Sequence, residues 1–448
     1  MVDPAATAPE RSTSGTAAST AVGPVCHGLL DEGRLFCDGY RRLVRMTREG
    51  ADVGDIEAPS DSNPSAVGGE FDLQDFYLPF DPDDISPEDM QRWPYYRHVS
   101  MHWPDYVQTS TVPIRPAPEP RGLETGERFD LNTEFRTGTS YLQSLIDCQV
   151  KGFVVMRSDE ILAEFYDNGF NLGDTNLLQS ASKTYAGVIT HTLIDQGLLD
   201  ADALVSSVHG DFAGTTIGAA TVQHVLDMMS GARTLLNFHT PGTTDQQWEI
   251  EIGLQRGERK GHVAAIKAAG KACEPGAAWN YSDKNTDALA LLAEAVTQRR
   301  YVDLVQDLFD DFGANDSGSL VVSPEGTASP CYGISTTTRD YALFHQWIAE
   351  RRAPNSFYSS AMDPAKDHIR TTNPLGAQLM PGTNYGSHTY YLVDHNVLHS
   401  SGSYGQIGMS DMDTGLAVAM HADWAVNTEP EKFEESRARG LAIINTLR

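Results

Sequence analysis

Residues 171–193 read NLGDTNLLQSASKTYAGVITHTL, an irregular stretch that gives way at Ser180-Ala181-Ser182-Lys183 to an apolar segment. Tyr185, Ile189 and Leu193 recur there at helical spacing, so 183–199 is predicted to be a buried helix. A serine where such a helix starts lies in the positive end of its dipole, beside backbone N–H groups without helical partners. A lysine three residues later stands one turn on, within reach of the hydroxyl, and a buried lysine amine is available as a base at neutral pH. Lysine is scarce in the chain, and this is its one Ser-x-x-Lys. The plain alternative, a helix-capping serine and a solvated lysine, fits the motif taken alone equally well.

Two further stretches extend the pattern. In PGAAWNYSDKNTDALALLAEAV (275–296), Pro275-Gly276 reads as a turn, WNY as a short strand or loop, and a helix is expected from Asn285 or Thr286. Tyr281, at the mouth of that helix, is a candidate general base if Lys183 is the cation that steadies its phenolate. The alternative is a core tyrosine whose hydroxyl is satisfied. Near the carboxyl end, Ser400-Ser401-Gly402-Ser403-Tyr404-Gly405-Gln406 reads as a Gly-rich strand on which substrate can lie, with a backbone N–H aimed at a developing oxyanion. A bulged edge strand has the same composition. The chain has no G-x-S-x-G elbow, no H-E-x-x-H and no G-x-x-x-x-G-K-[ST] loop.

Around these motifs, GFVVMRSDEILAEFY (152–166) reads as a hairpin turning at Arg157–Glu160, and 133–149 as a helix. Segment 220–231 is expected to be a helix stopped by Gly231, and 286–299 carries Leu289, Leu292 and Val296 on one helical face. GISTTTRDYALFHQWIAE (333–350) reads as a turn feeding a helix, and a closing helix is expected from about 429. Residues 1–24, rich in Ala, Thr, Ser and Pro, have the composition of a disordered tail, residues 25–109 form an extension, and IRPAPEPRG (114–122) is a connector.

Composition narrows the function. With 33 basic against 61 acidic side chains the net charge is −28, which argues against nucleic acid and anionic membranes and mildly favours cationic ligands. No apolar run approaches the ~18 residues of a membrane helix, and the amino terminus lacks the basic start and apolar stretch of a secretory signal, so a cytoplasmic location is expected. Cys26, Cys37, Cys148, Cys273 and Cys331 are odd in number and unpaired in spacing, as reduced thiols are.

Taken in order, the three motifs resemble the serine β-lactamase and D,D-peptidase superfamily, most closely its class-C-like branch of esterases and amidases with the 6-aminohexanoate-dimer (nylon-oligomer) hydrolases. Tyr281 followed by Asn285-Thr286-Asp287 is similar to that branch's Tyr-x-x-x-Asn-Thr-Asp, and Gly402-Ser403-Tyr404-Gly405-Gln406 to its Gly-x-x-Gly-Gln strand. The framework segments KGFVVMRSDEILAEFY, LIDQGLLDADALV, TVQHVLDMMSGA and GISTTTRDYALF resemble the family's as well, and the likeness covers roughly 110–448. It implies an α/β (α+β) fold: an antiparallel sheet flanked by helices (110–185 and 320–448) and a mostly helical domain (186–319) over the cleft.

The resemblance also implies a mechanism, acyl transfer through Ser180 with Lys183 and Tyr281 as acid–base partners and the Ser180 and Ser403 backbone N–H groups as oxyanion hole. It needs no metal or organic cofactor. Asn285, Gly402, Tyr404, Trp248 and Asp245 are the expected substrate contacts, the last two in an acidic segment (237–251) placed to line the cleft. Two departures matter: Ser400-Ser401-Gly402 stands where β-lactamases carry Lys-Thr-Gly, and Asp283 where they carry Asn, so the cation that grips a β-lactam carboxylate is missing. The readings that follow are an amidase of small linear substrates such as ω-amino acid oligomers, a carboxylesterase, a β-lactamase or D-aminopeptidase, and a silent scaffold of the same fold. The expected partner is a small-molecule amide or ester, with a homodimer left open.

Overall fold

The computed structural model describes residues 110–126, 128–233, 243–253, 257–373, 380–424 and 429–448. The expected tail and extension, with Cys26 and Cys37, lie outside the described residues. Strands are β1 (Ser110–Ile114), β2 (Glu124–Thr125), β3 (Glu134–Arg136), β4 (Thr139–Ser140), β5 (Val150–Arg157), β6 (Glu160–Tyr166), β7 (Asn176–Leu177), β8 (Gly318–Val322), β9 (Ile334–Thr336), β10 (Thr383–Gly386), β11 (Thr389–Leu392), β12 (Val397–Gly402), β13 (Gln406–Asp411) and β14 (Ala417–Ala422). The α-helices are α1 (Tyr141–Asp147), α2 (Ser182–Asp195), α3 (Val205–Val208), α4 (Val222–Leu226), α5 (Thr244–Glu251), α6 (His262–Lys267), α7 (Asp283–Thr297), α8 (Tyr301–Phe312), α9 (Thr338–Ala349), α10 (Asn355–Ala361), α11 (His368–Thr371) and α12 (Pro430–Leu447).

An eight-stranded sheet runs β10-β11-β12-β13-β14-β5-β6-β2, antiparallel except where β2 joins β6 at its edge. β5 shows why its sequence is apolar almost throughout. Phe153 and Val155 enter one core, while Val154 and Met156 enter the other, because both faces of the sheet are covered. α9 packs on β5, β13 and β14 from one side, and α1 and α12 close the other. The β5–β6 hairpin turns through Ser158 and Asp159, both left-handed (φ 52° and 65°), as a tight two-residue turn matched to strand twist requires. A second antiparallel sheet, β1-β8-β9-β7, feeds the chain into α2. Between α2 and α8 the described residues contribute helices and no named strand. Cys148 and Cys331 are buried thiols. No helix among the described residues is long and apolar enough to cross a membrane.

The elements differ from expectation in local ways with local causes. The helix expected over 133–149 is only α1, because Gly138 turns a β3–β4 hairpin (φ 76°) and Ser140 then caps the helix by accepting from the Gln143 N–H. The helix expected over 220–231 is only α4: Thr221 and His224 form a capping box, and the chain leaves the helix at Asp227 and Met228 (φ 56°) before Gly231 is reached. α7 begins at Asp283, earlier than expected, with Ser282 as its cap residue.

Candidate active site

Ser180 lies in a 3₁₀ turn, Gln179–Ala181, that leads into α2. The turn is held on two sides. From β9, Ile334 accepts from the Leu178 N–H (2.8 Å) and donates its own N–H to the Ser182 hydroxyl (3.1 Å). From β12, Gly402 comes so close that a Cβ there would stand 2.1 Å from the Leu178 carbonyl oxygen and 3.1 Å from the Ala181 nitrogen. Gly402→Ala must therefore push strand or turn aside. We expect it to cost about 1–3 kcal/mol, the usual penalty for overpacking, and to slow the Ser180 chemistry. Thermal unfolding and labelling by a fluorophosphonate read the two effects, and wild-type values in both would show that the strand has room to move.

Lys183, almost wholly buried one turn into α2, places its amine 3.0 Å from the Ser180 hydroxyl, 2.7 Å from the Cys331 carbonyl and 2.5 Å from Asp283. An ammonium has three N–H donors, and these three acceptors use them all. The amine also lies 4.8 Å from the centre of the Tyr281 ring. Ser180 stands close enough to the Tyr281 hydroxyl to act on its acidity, pulling the pKa down. Burial, reinforced by Tyr390 and Asp283, holds the Tyr281 phenol well above its ordinary pKa, and Ser180 only partly offsets this. Tyr281 is thus a protonated phenol at neutral pH in the resting site.

An aromatic cluster adjoins Tyr281: Trp279 at 5.9 Å and Tyr385 at 6.4 Å between ring centres, with Tyr390 stacked edge-on against Tyr385 at 4.8 Å. Tyr390, on β11, is pushed up to about 12, chiefly by burial, with Lys183 acting to lower it and Asp283 to raise it. Ser401, near the end of β12, also acts to lower it.

The structure brings Ser180, Lys183, Tyr281 and Gly402 together and leaves Ser403 partly exposed in the turn beyond Gly402. The other expected substrate contacts are corrected. Asp245 is buried and pairs with Lys284 (3.1 Å), which spares both ions an unpaired burial. Trp248 is buried too, its Nε1–H donated to Asp287 (3.1 Å). Both lie on α5, so the described part of the supposed acidic loop is a helix capped by Thr243; residues 237–242 lie outside the described residues. Asn285 faces inward, accepting from the Ser230 hydroxyl (2.7 Å), and Tyr404 is packed in the core at 1% exposure.

Sequence reasoning missed Tyr385 and Tyr390 because they come from β10 and β11, more than 200 residues beyond Lys183. It noted Asp283 only as a departure. It had no means of finding the Cys331 carbonyl, a backbone group that carries no residue signature.

The family model described as Beta-lactamase matches residues 177–443. The 6-aminohexanoate-dimer hydrolase of Paenarthrobacter ureafaciens is 30% identical over 208 residues, 45% of this chain and 52% of that protein, so the match spans about half the relative's length. Among solved structures, a candidate 6-aminohexanoate-dimer hydrolase from Bacillus anthracis aligns with a TM-score of 0.69 at 19% identity, over 79% of this chain and 95% of its own. EstCE1, a hydrolase with promiscuous acyltransferase activity, aligns at 0.52 and 16% identity, over 67% and 96%. At these identities the structural likenesses establish a shared fold.

Proposed function

This chain belongs to the Beta-lactamase family, and from that premise we propose that it is a serine hydrolase that opens amide bonds of small linear substrates, such as ω-amino acid oligomers, through an acyl-enzyme on Ser180. The observation that carries the reading is the Lys183 amine 3.0 Å from the Ser180 hydroxyl and 4.8 Å from the centre of the Tyr281 ring.

Because all three Lys183 donors are engaged, the proton path runs through Tyr281. As Ser180 Oγ bonds to the carbonyl carbon, its proton passes to the Tyr281 oxygen while Tyr281 gives its own to the leaving nitrogen. No net charge is created on the phenol, and Lys183 stabilises what transient negative charge appears there. The backbone N–H groups of Ser180 and Ser403 hold the oxyanion. Water then attacks the ester, its proton returning along the same path to Ser180.

The amide substrate is supported by the likeness to the Paenarthrobacter ureafaciens enzyme. With Asp245 buried on Lys284, the carboxylate beside Ser180 and Lys183 is Asp283; one oxygen holds Lys183, and with 22% of its side chain exposed it can meet a substrate ammonium as well. A panel of ω-amino amides, their N-acetyl forms, p-nitrophenyl esters and nitrocefin tests the reading. Acetylating the amine should cost at least ~1.4 kcal/mol, or about tenfold in kcat/KM. Equal rates on the two forms would refute amine recognition, and turnover confined to esters would replace the amidase by an esterase.

A further inference from the structure

The proton path above needs Lys183 held in place, and two of its three partners trace back to one helix. Asp283 opens α7 and meets the amine directly. Asp287 stands one turn further along the same helix, fully buried, and its carboxylate converges four groups. It takes the indole N–H of Trp248 (3.1 Å), Nε2 of His262 (3.0 Å), the hydroxyl of Ser329 (3.3 Å) and the backbone N–H of Cys331 (3.4 Å). A buried carboxylate is tolerated only when donors surround it, so removing the charge weakens the whole set.

Two of the four, Ser329 and Cys331, belong to the turn between β8 and β9 whose Cys331 carbonyl receives the Lys183 amine at 2.7 Å. The same turn is tied to β8, through Ser329 N–H to the Val321 carbonyl, and to Ile252 through the Tyr332 hydroxyl. These contacts fix where the turn sits. The Asp287 bond to the Cys331 N–H fixes the peptide entering Cys331, and so the residue whose carbonyl, in the next peptide, meets Lys183.

We infer that Asp287 is a positioning residue for catalysis: by holding the Ser329–Cys331 turn from beneath, it aims the Cys331 carbonyl at Lys183 and so sets the distance from Lys183 to Ser180. It touches neither substrate nor nucleophile. The inference rests on the Ser180 reading given under Proposed function. An asparagine at 287 keeps one acceptor and puts an NH₂ in place of the other oxygen, facing the Cys331 N–H in one orientation and the Trp248 indole N–H in the other, so one side of the seat loses its bond in either case.

The experiment is Asp287→Asn in the full chain, assayed with a p-nitrophenyl ester, with active sites counted by fluorophosphonate titration. Counting separates the two roles, because a merely structural carboxylate lowers the number of sites without slowing those that remain. We expect kcat per titrated site to fall about tenfold or more with KM within about threefold, since a misplacement on the order of 1 Å costs up to about 10²-fold. Wild-type kcat per site, whatever the loss of sites or melting temperature, overturns the inference. If Asp287→Asn does not fold, Ser329→Ala and Trp248→Phe decide. Each removes one donor to the same carboxylate, but only Ser329 belongs to the turn. Slowing by Ser329→Ala alone supports positioning, and equal effects of the two overturn it. A wild type that takes no fluorophosphonate label would defeat the serine reading itself, and this inference with it.

Discussion

Ser180→Ala is expected to lower turnover by about 10³-fold or more, the loss seen when serine nucleophiles are removed. That is at least ~4 kcal/mol of transition-state stabilisation. The fold should survive, for reasons visible around the residue. Ser180 is partly exposed, its turn is tied to β9 through Leu178 and Ser182, and Lys183 keeps its bonds to Asp283 and the Cys331 carbonyl when the hydroxyl goes. One hydrogen bond is lost, worth about 0.5–1.5 kcal/mol, and the Lys183 N–H that loses its acceptor faces the partly exposed Ser180 position, where water can take the hydroxyl's place. Circular dichroism and the melting temperature should therefore match wild type while p-nitrophenol release disappears. Activity within tenfold of wild type in a folded variant would remove Ser180 from the mechanism.

What the sequence disclosed and what it hid divide by range. Ser180 and Lys183 were legible because three residues in a helix is a local spacing, and the β5–β6 hairpin because its two strands flank a tight turn. Tyr281 was found through its neighbours in the chain, but its protonation state could not be read there. Burial, with Tyr390 and Asp283, outweighs the pull of Ser180, and burial is a property of the assembled fold. Asp245, Trp248 and Asn285 failed as substrate contacts for the same reason. Their partners Lys284, Asp287 and Ser230 lie 39 to 55 residues away, so only packing decides whether such a side chain faces cleft or core. A polar residue near a motif says that a bond is needed, and not with whom.

Tyr281→Phe is the sharper test of how the proton moves. The substitution keeps the ring, and with it the contacts to Trp279 and Tyr385 and the face presented to Lys183. Only the hydroxyl is lost, so a tyrosine that merely packs would tolerate the change. If Tyr281 carries the Ser180 proton, both acylation and deacylation lose their proton carrier. The burst of p-nitrophenol should then slow by about 10²-fold or more, the typical worth of such a group. Lys183 cannot simply take over, because accepting the proton would require its amine to give up a donor now engaged by Asp283, Cys331 or Ser180 itself. The buried phenol keeps its proton through the neutral range, so the deficit should be the same at pH 6 and pH 8, where Tyr281 does not titrate in the wild type. A deficit that shrinks as pH rises would mean that another base, freed at higher pH, is doing the transfer. A normal burst at both values would assign the proton to Lys183 alone and leave Tyr281 as part of the aromatic wall.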